Sequence, residues 1–219
     1  MRGVLLDVNE TLLDLSGLQP AFDSLGLSDA PALWFARTLR NGFALAAAND
    51  CRPFADVARA TLVSLDPKRL PSKDADVILD AFTRLQPHAD VEPGLRMLAD
   101  AGIPAITLTV GDAETVARLF DAPGLGDLIA GHLSAADFGR WKPAPAPYLA
   151  GCLALGLPPG DVTMVAAHSW DLHGAHRAGL RTAWISRLER IRPEIFDAPD
   201  IEGPDLPSVA AQIVGSTAS

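Results

Sequence analysis

The 219-residue sequence has few cysteines, no long apolar segment and a deficit of positive charge. Its two cysteines, Cys51 and Cys152, are too few for a disulfide framework and lack the spacing of a metal site. No apolar run approaches the ~20 residues that a membrane span requires. Met1 and Arg2 lead directly into a short apolar segment, without the pattern of a signal peptide. We therefore expect a soluble cytoplasmic protein with no membrane partner.

The acidic balance restricts the partners of the chain. Lys and Arg number 18 against 27 Asp and Glu, which gives a net charge of -9 at pH 7. This charge disfavours nucleic acid and anionic membrane surfaces as partners. An acidic protein that binds an anionic substrate needs local cations, so the positions of its lysines and arginines matter. The 48% hydrophobic content is ordinary for a globular protein, and the length is sufficient for a full core.

Short apolar runs alternate with helical patterns over most of the chain. The first run, Val4 to Leu6, has the composition of a strand that is buried on both faces. Further strands are predicted at 103–110, within 128–134, at 162–166 and at 182–185. Helices are predicted between and after them, at 93–101, 112–121, 144–155, 171–178 and near 207–214. Strands that alternate with helices predict parallel βαβ units and a doubly wound sheet of the α/β class.

A long helical segment interrupts this alternation directly after the first strand. Apolar residues recur at helical spacing over 19–25, 32–48, 53–65 and 73–85, with chain breakers between these stretches. We therefore predict a core of residues 1–13 and 90–219 with a helical insertion of residues 14–89.

Polar residues follow the predicted strands. Asp7 ends the first strand, and the hydroxyl of Thr11, four residues later, could reach back towards it. Thr109 lies at the end of the second predicted strand, and His168 and Asp171 follow the strand at 162–166. Open α/β sheets place their ligands at the carboxyl ends of strands, which makes these residues candidates for a functional site. A strand followed by an ordinary Asx-type turn would also explain Asp7 taken alone.

The ordered set of Asp7, Thr109, Lys142 before a proline, and Asp171 resembles the haloacid dehalogenase superfamily. Within it, the set is most similar to the type II 2-haloacid dehalogenases, and the resemblance covers nearly the whole chain. It implies a Rossmann-like core with an inserted α-helical cap. It also implies hydrolysis of a small anionic 2-haloacid to a 2-hydroxy acid and halide through an aspartyl ester. Homodimers are common in this family, so a homodimer is possible here.

The resemblance implies a role for each catalytic candidate. Asp7 would be the nucleophile, and Lys142 its counter-ion, because a nearby ammonium favours the ionised carboxylate. Asp171 would orient Lys142 and help to position the hydrolytic water. His168 occupies a position where the family usually has Asn. It could act as a general base, or it could donate a hydrogen bond in place of the Asn, and both alternatives stay open.

Substrate contacts are expected from residues on the core and on the cap: Asn9, Thr11, Arg37, Thr109, Val110, Tyr148 and Trp170. Thr109 matches the motif whose hydroxyl and backbone amides hold the anionic group, and Val110 replaces the usual Asn that follows it. Tyr148 matches a tyrosine of the family's substrate pocket; a helix residue that packs on the core is the alternative.

The cap matches the family least well. The type II enzymes have an arginine directly after an aromatic residue of a cap helix, but here Trp34 is followed by Phe35. We take Arg37 as the substitute, although two residues turn a helix by about 200° and direct it differently. Arg37 and Arg40 could equally form a solvated basic stripe.

Two departures argue against phosphatase chemistry. Superfamily phosphatases carry a proton-donating aspartate where this chain has Asn9, and an Mg²⁺-binding carboxylate where it has Ala167.

A zinc site of His168, His173 and His176 lacks any accompanying cysteine. We therefore predict neither metal nor cofactor. A superfamily hydrolase for another small acid or a phosphate ester, or a non-catalytic binding protein of this fold, remains an alternative.

Overall fold

The computed structural model describes residues 2–65 and 75–216. In these residues one sheet is formed by six strands, β1 (Gly3–Leu6), β2 (Ala105–Thr109), β3 (Gly131–Ser134), β4 (Val162–Ala166), β5 (Arg181–Ile185) and β6 (Ile201–Gly203). Their order across the sheet is β3-β2-β1-β4-β5-β6, and every neighbouring pair is parallel. The predicted α/β class with a parallel sheet is confirmed.

The α-helices precede, connect or follow these strands. They are α1 (Gln19–Ser24), α2 (Pro31–Ala47), α3 (Phe54–Leu65), α4 (Ala75–Phe82), α5 (Val91–Asp100), α6 (Ala113–Asp121), α7 (Pro145–Leu155), α8 (Ser169–Arg177) and α9 (Leu206–Gly215). Local sequence explains several of their ends. Asp112 caps α6 by accepting a hydrogen bond from the Thr115 amide at 2.7 Å. Gly156 ends α7 with a φ of 67°, a left-handed conformation that glycine adopts without strain.

The two faces of the sheet pack against different helices. Val4 and Leu6 of β1 belong to one hydrophobic cluster with residues of α5, α6 and α9. Leu5 belongs to a second cluster with residues of α7 and α8. Because helices cover both faces, all four residues of β1 are buried. The doubly wound arrangement inferred from the sequence is therefore confirmed.

The helical segment leaves and rejoins the sheet region at adjacent points. Leu13 forms an isolated antiparallel bridge with Pro87, and the His88 amide donates to the Leu12 carbonyl at 2.8 Å. Helices α1 to α4 lie between these points, so the inserted helical segment is confirmed. The division at residues 14–89 stays a prediction. The helix predicted at 73–85 begins outside the described residues, and its described part is α4.

Aromatic residues hold the inserted helices to the core. Trp141, next to Lys142 in sequence, stacks on Phe54 of α3 with ring centroids 6.1 Å apart. Its indole nitrogen donates to the Arg52 carbonyl at 2.8 Å. A Cβ at Gly42 of α2 would lie 1.9 Å from the Trp141 ring, so only glycine allows this approach. No helix in the described part of the chain is long and apolar enough to cross a membrane.

Candidate active site

The candidate site lies where the path of the chain through the sheet reverses. From β1 the chain proceeds to β2 and β3 on one side, and it then returns to β4 on the other side of β1. Ligands of open α/β sheets bind outside the carboxyl ends of the strands at such a switch point. Asp7 follows β1, Thr109 ends β2, and His168 lies two residues beyond β4. The fold therefore brings together residues that are far apart in sequence.

Lys142 lies between two buried carboxylates. Its Nζ donates to Asp7 Oδ1 at 2.8 Å, to Asp171 Oδ2 at 2.6 Å and to the Leu108 carbonyl at 2.9 Å. The side chain is 1% exposed, so no proton of its ammonium is left for solvent. A Cβ at Gly174 of α8 would lie 2.5 Å from Pro143 Cβ. Glycine at this position thus lets α8 approach the loop that carries Lys142.

The charges of this group favour an ionised Asp7. Burial opposes that charge, but Lys142 and His168 hold the pKa of Asp7 well below its usual value. Burial also opposes the charge of Lys142, while Asp171 and Asp7 together raise its pKa. For Asp171, burial prevails over the attraction of Lys142 and its pKa lies above the usual value. Of the two carboxylates, Asp7 is therefore held as the anion more firmly, as a nucleophile requires.

Thr11 joins the loops that follow β1 and β4. Its hydroxyl donates to Asp7 Oδ2 at 2.6 Å and accepts from the Ala167 amide at 2.9 Å. The hydroxyl is therefore oriented with its proton on the carboxylate. Thr11 is fully buried and contacts Asp7 directly, as the sequence suggested it could.

His168 lies between two carboxylates. Its Nδ1 is 3.1 Å from Asp7 Oδ2, and its Nε2 is 2.9 Å from Glu10 Oε2. Carboxylate oxygens accept hydrogen bonds, so both ring nitrogens act as donors and the ring is an imidazolium. Burial lowers the pKa of His168, but the hydrogen bonds to Asp7 and Glu10 outweigh it and raise that pKa to about 10. This arrangement favours the hydrogen-bond donor over the general base.

Tyr148 and Trp170 contact two of the ionisable residues described above, Asp171 and His168. The Tyr148 hydroxyl donates to Asp171 Oδ1 at 2.6 Å, and the whole side chain is buried. The Trp170 ring lies 5.4 Å from the His168 ring and 4.8 Å from the ring of Phe43 in α2. Tyr148 thus contacts Asp171, and Trp170 contacts His168 and Phe43.

A cavity of about 470 Å³ opens between the inserted helices and the ends of β1 and β2. Three predicted substrate contacts line it, namely Asn9, Thr109 and Val110. The rest of its buried wall is apolar and consists of Leu13, Phe54, Val116 and Leu119. Four exposed aspartates also line it: Asp76, Asp80, Asp112 and Asp137. The cavity thus combines an apolar buried wall with exposed carboxylates.

The structure does not place Arg37 among the residues that line this cavity. Phe35 packs against Phe54 with ring centroids 6.4 Å apart, and Phe54 forms part of the cavity wall. The arginine among the lining residues is Arg59 of α3, which forms an ion pair with Asp76. Sequence reasoning missed Arg59 because a single basic residue on an amphipathic helix carries no distinguishing signal.

The metal-ligating residue types show no grouping in residues 2–65 and 75–216 that could hold an ion. His173, a member of the zinc alternative, has its Nδ1 3.1 Å from Asp197 Oδ2 in the segment after β5. At Ala167 the backbone amide donates to Thr11, and the residue provides no carboxylate. The two buried carboxylates of the site are instead bridged by the ammonium of Lys142.

Comparisons with known proteins identify the family. A family model described as haloacid dehalogenase-like hydrolase matches residues 1–179. This chain belongs to the haloacid dehalogenase-like hydrolases. An (S)-2-haloacid dehalogenase of Pseudomonas sp. (strain YL) is 27% identical over 95% of this chain and 93% of its own length. The (S)-2-haloacid dehalogenase 4A of Burkholderia cepacia is 28% identical over 85% of this chain and 84% of its own.

A solved structure confirms the fold of this haloacid dehalogenase-like hydrolase. An L-2-haloacid dehalogenase from Xanthobacter autotrophicus, with chloropropionic acid covalently bound, superposes with a TM-score of 0.89. The match covers 98% of this chain and 99% of that one at 22% identity, and it shows a common fold. The resemblance to the 2-haloacid dehalogenases that the motifs indicated is confirmed.

Proposed function

We propose that this haloacid dehalogenase-like hydrolase removes halide from small 2-haloacids, the (S) enantiomers first, through an ester on Asp7. One observation carries the proposal: Asp7 is buried with its Oδ1 2.8 Å from the Lys142 ammonium, and Asn9, two residues further along the same loop, lines a largely apolar cavity. The similarity to two (S)-2-haloacid dehalogenases supports the substrate class.

In the first step an Asp7 oxygen attacks C2 of the acid, the C–O bond forms, and the carbon–halogen bond breaks. Attack from the back inverts C2. Halide leaves without protonation, which is consistent with Asn9 at the position of the phosphatase proton donor. We assign the attack to Oδ1, which receives one side-chain hydrogen bond, from Lys142. Oδ2 receives two, from Thr11 and His168.

In the second step water attacks Cγ of Asp7, and the negative charge develops on Oδ2. The Thr11 hydroxyl and the His168 imidazolium already face that atom at 2.6 and 3.1 Å, so they form an oxyanion hole. The Cγ–Oδ1 bond then breaks, one proton of the attacking water goes to Oδ1 of the departing 2-hydroxy acid and the other to solvent, and the Asp7 carboxylate is restored. Haloacid and water thus give hydroxy acid, halide and one proton.

The carboxylate of the substrate would bind near Thr109 and the Val110 amide. The Thr109 hydroxyl accepts from the Gly111 amide at 2.9 Å, which directs its own proton elsewhere. Arg59 supplies a positive charge on the cavity wall in place of the predicted Arg37, and the substrate competes with Asp76 for it. A cavity of about 470 Å³ is in the range that holds drug-sized ligands. We therefore include 2-haloacids with longer chains among the substrates.

The inserted helices, residues 14–89, would act as the cap over Asp7. We propose that the reaction needs neither metal nor cofactor, because Lys142 already neutralises Asp7. A homodimer and a cytoplasmic location stay predictions.

A halide-release assay tests the proposal. Chloroacetate, bromoacetate, fluoroacetate and both enantiomers of 2-chloropropionate are incubated with the protein in excess EDTA. We expect halide from (S)-2-chloropropionate and the inverted (R)-lactate as product. Phosphatase activity on p-nitrophenyl phosphate with Mg²⁺, without halide release, would favour the phosphate-ester alternative instead. No activity in either assay would favour the alternative of a non-catalytic binding protein of this fold.

A further inference from the structure

The environment of His168 depends on Glu10, a residue that the catalytic scheme above does not use. The ring contacts Asp7 through Nδ1 and Glu10 through Nε2. When Asp7 becomes an ester it loses its charge, and the first of these partners becomes a neutral acceptor. Glu10 is then the carboxylate that remains hydrogen-bonded to the ring.

The backbone at Glu10 is strained. Its φ is 61°, in the left-handed region, which residues with a side chain rarely adopt. Glycine would adopt this conformation without that strain. A glutamate in this position points to a function for its side chain, and the contact of Oε2 with His168 supplies one.

The other side of Glu10 faces a second cavity of about 240 Å³, apart from the substrate cavity. The Glu10 side chain is 24% exposed, so its charge is partly solvated while the His168 ring is buried. The ionisable groups in contact with the ring are Asp7 and Glu10. Lys142 and Asp171 lie beyond Asp7. Asp14, His88 and Arg187 line the second cavity together with Glu10.

We propose that Glu10 is a positioning residue for ester hydrolysis: it keeps His168 doubly protonated after Asp7 has lost its charge, so that a cation faces the developing oxyanion. This inference rests on the proposed function. In the first step Asp7 itself holds the imidazolium, so Glu10 contributes little there. In the second step Glu10 alone holds it. The contribution of Glu10 is therefore confined to one half of the reaction.

Single-turnover kinetics test this separation of the two steps. Halide release reports ester formation, and hydroxy-acid release reports ester hydrolysis. We expect Glu10→Gln to slow hydrolysis roughly tenfold, as for loss of a charge-assisted hydrogen bond, and to leave ester formation within about twofold. The alkaline limb of the hydrolysis profile should move to lower pH, because His168 loses its proton earlier. Glu114→Gln, which removes an exposed carboxylate of α6, is the matched control.

The His168→Asn background shows whether Glu10 acts through the ring. There, Glu10→Gln should change hydrolysis by less than about twofold, because the histidine partner is absent. Equal slowing of both steps by Glu10→Gln, or the same tenfold loss in the His168→Asn background, would overturn the proposal.

A spectroscopic readout separates this proposal from the proposed function. Asp7→Asn puts a neutral group in the position of the ester, and ¹⁵N NMR reports the protonation of the His168 ring without turnover. At pH 7 the ring should be doubly protonated in Asp7→Asn and singly protonated in the Asp7→Asn, Glu10→Gln double variant. The same protonation in both would refute the role of Glu10. If no acid yields halide but this difference is seen, the proposed substrate fails and the role of Glu10 in holding the charge stands.

Discussion

The Nζ atom of Lys142 lies 2.8 Å from Oδ1 of Asp7, although the two residues are 135 positions apart in sequence. Both side chains are almost completely buried. The strength of a buried ion pair depends on its environment, and here a second carboxylate, Asp171, shares the same ammonium. The activity and the stability of the protein should therefore both depend on this contact.

Replacing Asp7 by asparagine should abolish halide release, by more than about 10⁴-fold, because the amide is a poor nucleophile. The fold should persist, since Lys142 keeps its contacts with Asp171 and Leu108. Halide release and circular dichroism measure the two outcomes. The Asp29→Asn variant, in an exposed position, is the control. Retained activity in a folded Asp7→Asn protein is incompatible with the covalent scheme.

A single turnover in ¹⁸O-labelled water should label Asp7 before the product. Water attacks Cγ, so the new oxygen stays on the carboxylate and the oxygen of the hydroxy acid comes from Asp7. Mass spectrometry of the peptide that contains Asp7 and of the released acid measures the order. Label that appears first in the hydroxy acid would mean direct attack of water on C2.

Replacing Lys142 by methionine should destabilise the protein by about 3–5 kcal/mol, because two buried carboxylates then lose their shared cation. Methionine keeps most of the side-chain volume, so the loss of stability reflects the missing charge rather than a new cavity. Urea unfolding measures it. Arg96→Met removes a comparable chain from an exposed pair with Glu92 and should leave the midpoint nearly unchanged. Equal midpoints for Lys142→Met and the wild type would contradict the prediction.

The stability of the protein should fall as pH rises towards 10, in part because of His168. Its folded pKa of about 10 lies above the usual 6.5, so the folded state binds a proton that the unfolded state has already released. This contribution is complete below about pH 6.5 and disappears as pH passes about 10, with a slope of at most about 1.4 kcal/mol per pH unit. Urea unfolding at several pH values compares the wild type with His168→Asn, in which the decline should be smaller. Parallel curves for the two proteins would exclude this linkage.

Longer 2-bromoacids should be better substrates than 2-bromopropionate. Each buried CH₂ contributes about 0.8 kcal/mol, so kcat/KM should rise roughly fourfold per carbon until the cavity is filled. Initial rates on 2-bromopropionate, 2-bromobutyrate and 2-bromohexanoate measure the trend. Leu79→Trp places bulk in the cavity wall and should reduce turnover of 2-bromohexanoate more than that of 2-bromopropionate. A preference for the shortest acid in the wild type would show that the cavity does not hold the chain.

The sequence predicted the central charged group because strand ends meet at one edge of a parallel sheet. Asp7 and Asp171 follow neighbouring strands, β1 and β4, and Lys142 is carried in by the loop before α7. These relationships depend on topology, which the alternation of strands and helices reveals. The family resemblance then added the pairing of Lys142 with Asp7.

The sequence could not predict contacts that depend on local rotation of the backbone. Glu10 meets His168 because its φ is 61°, and nothing in the surrounding residue types requires that conformation. Arg59 lines the cavity and Arg37 does not, because of how α2 and α3 are rotated about their axes. The strand β6 was not predicted either, since its three residues lie in a Pro- and Asp-rich tail and become a strand by pairing with β5.

Trp141 connects the packing of the inserted helices with the position of Lys142, the next residue in sequence. Its ring is held by Gly42 and Phe54 of the inserted helices, while the next residue places the ammonium beside Asp7. Any swing of α2 and α3 away from the sheet must either pull this tryptophan along or unpack it. Under the proposed function, admission of substrate past the inserted helices would therefore be coupled to the position of Lys142 beside Asp7. A form of the protein with the inserted helices moved away from the sheet would also be a form in which Lys142 is held less firmly beside Asp7.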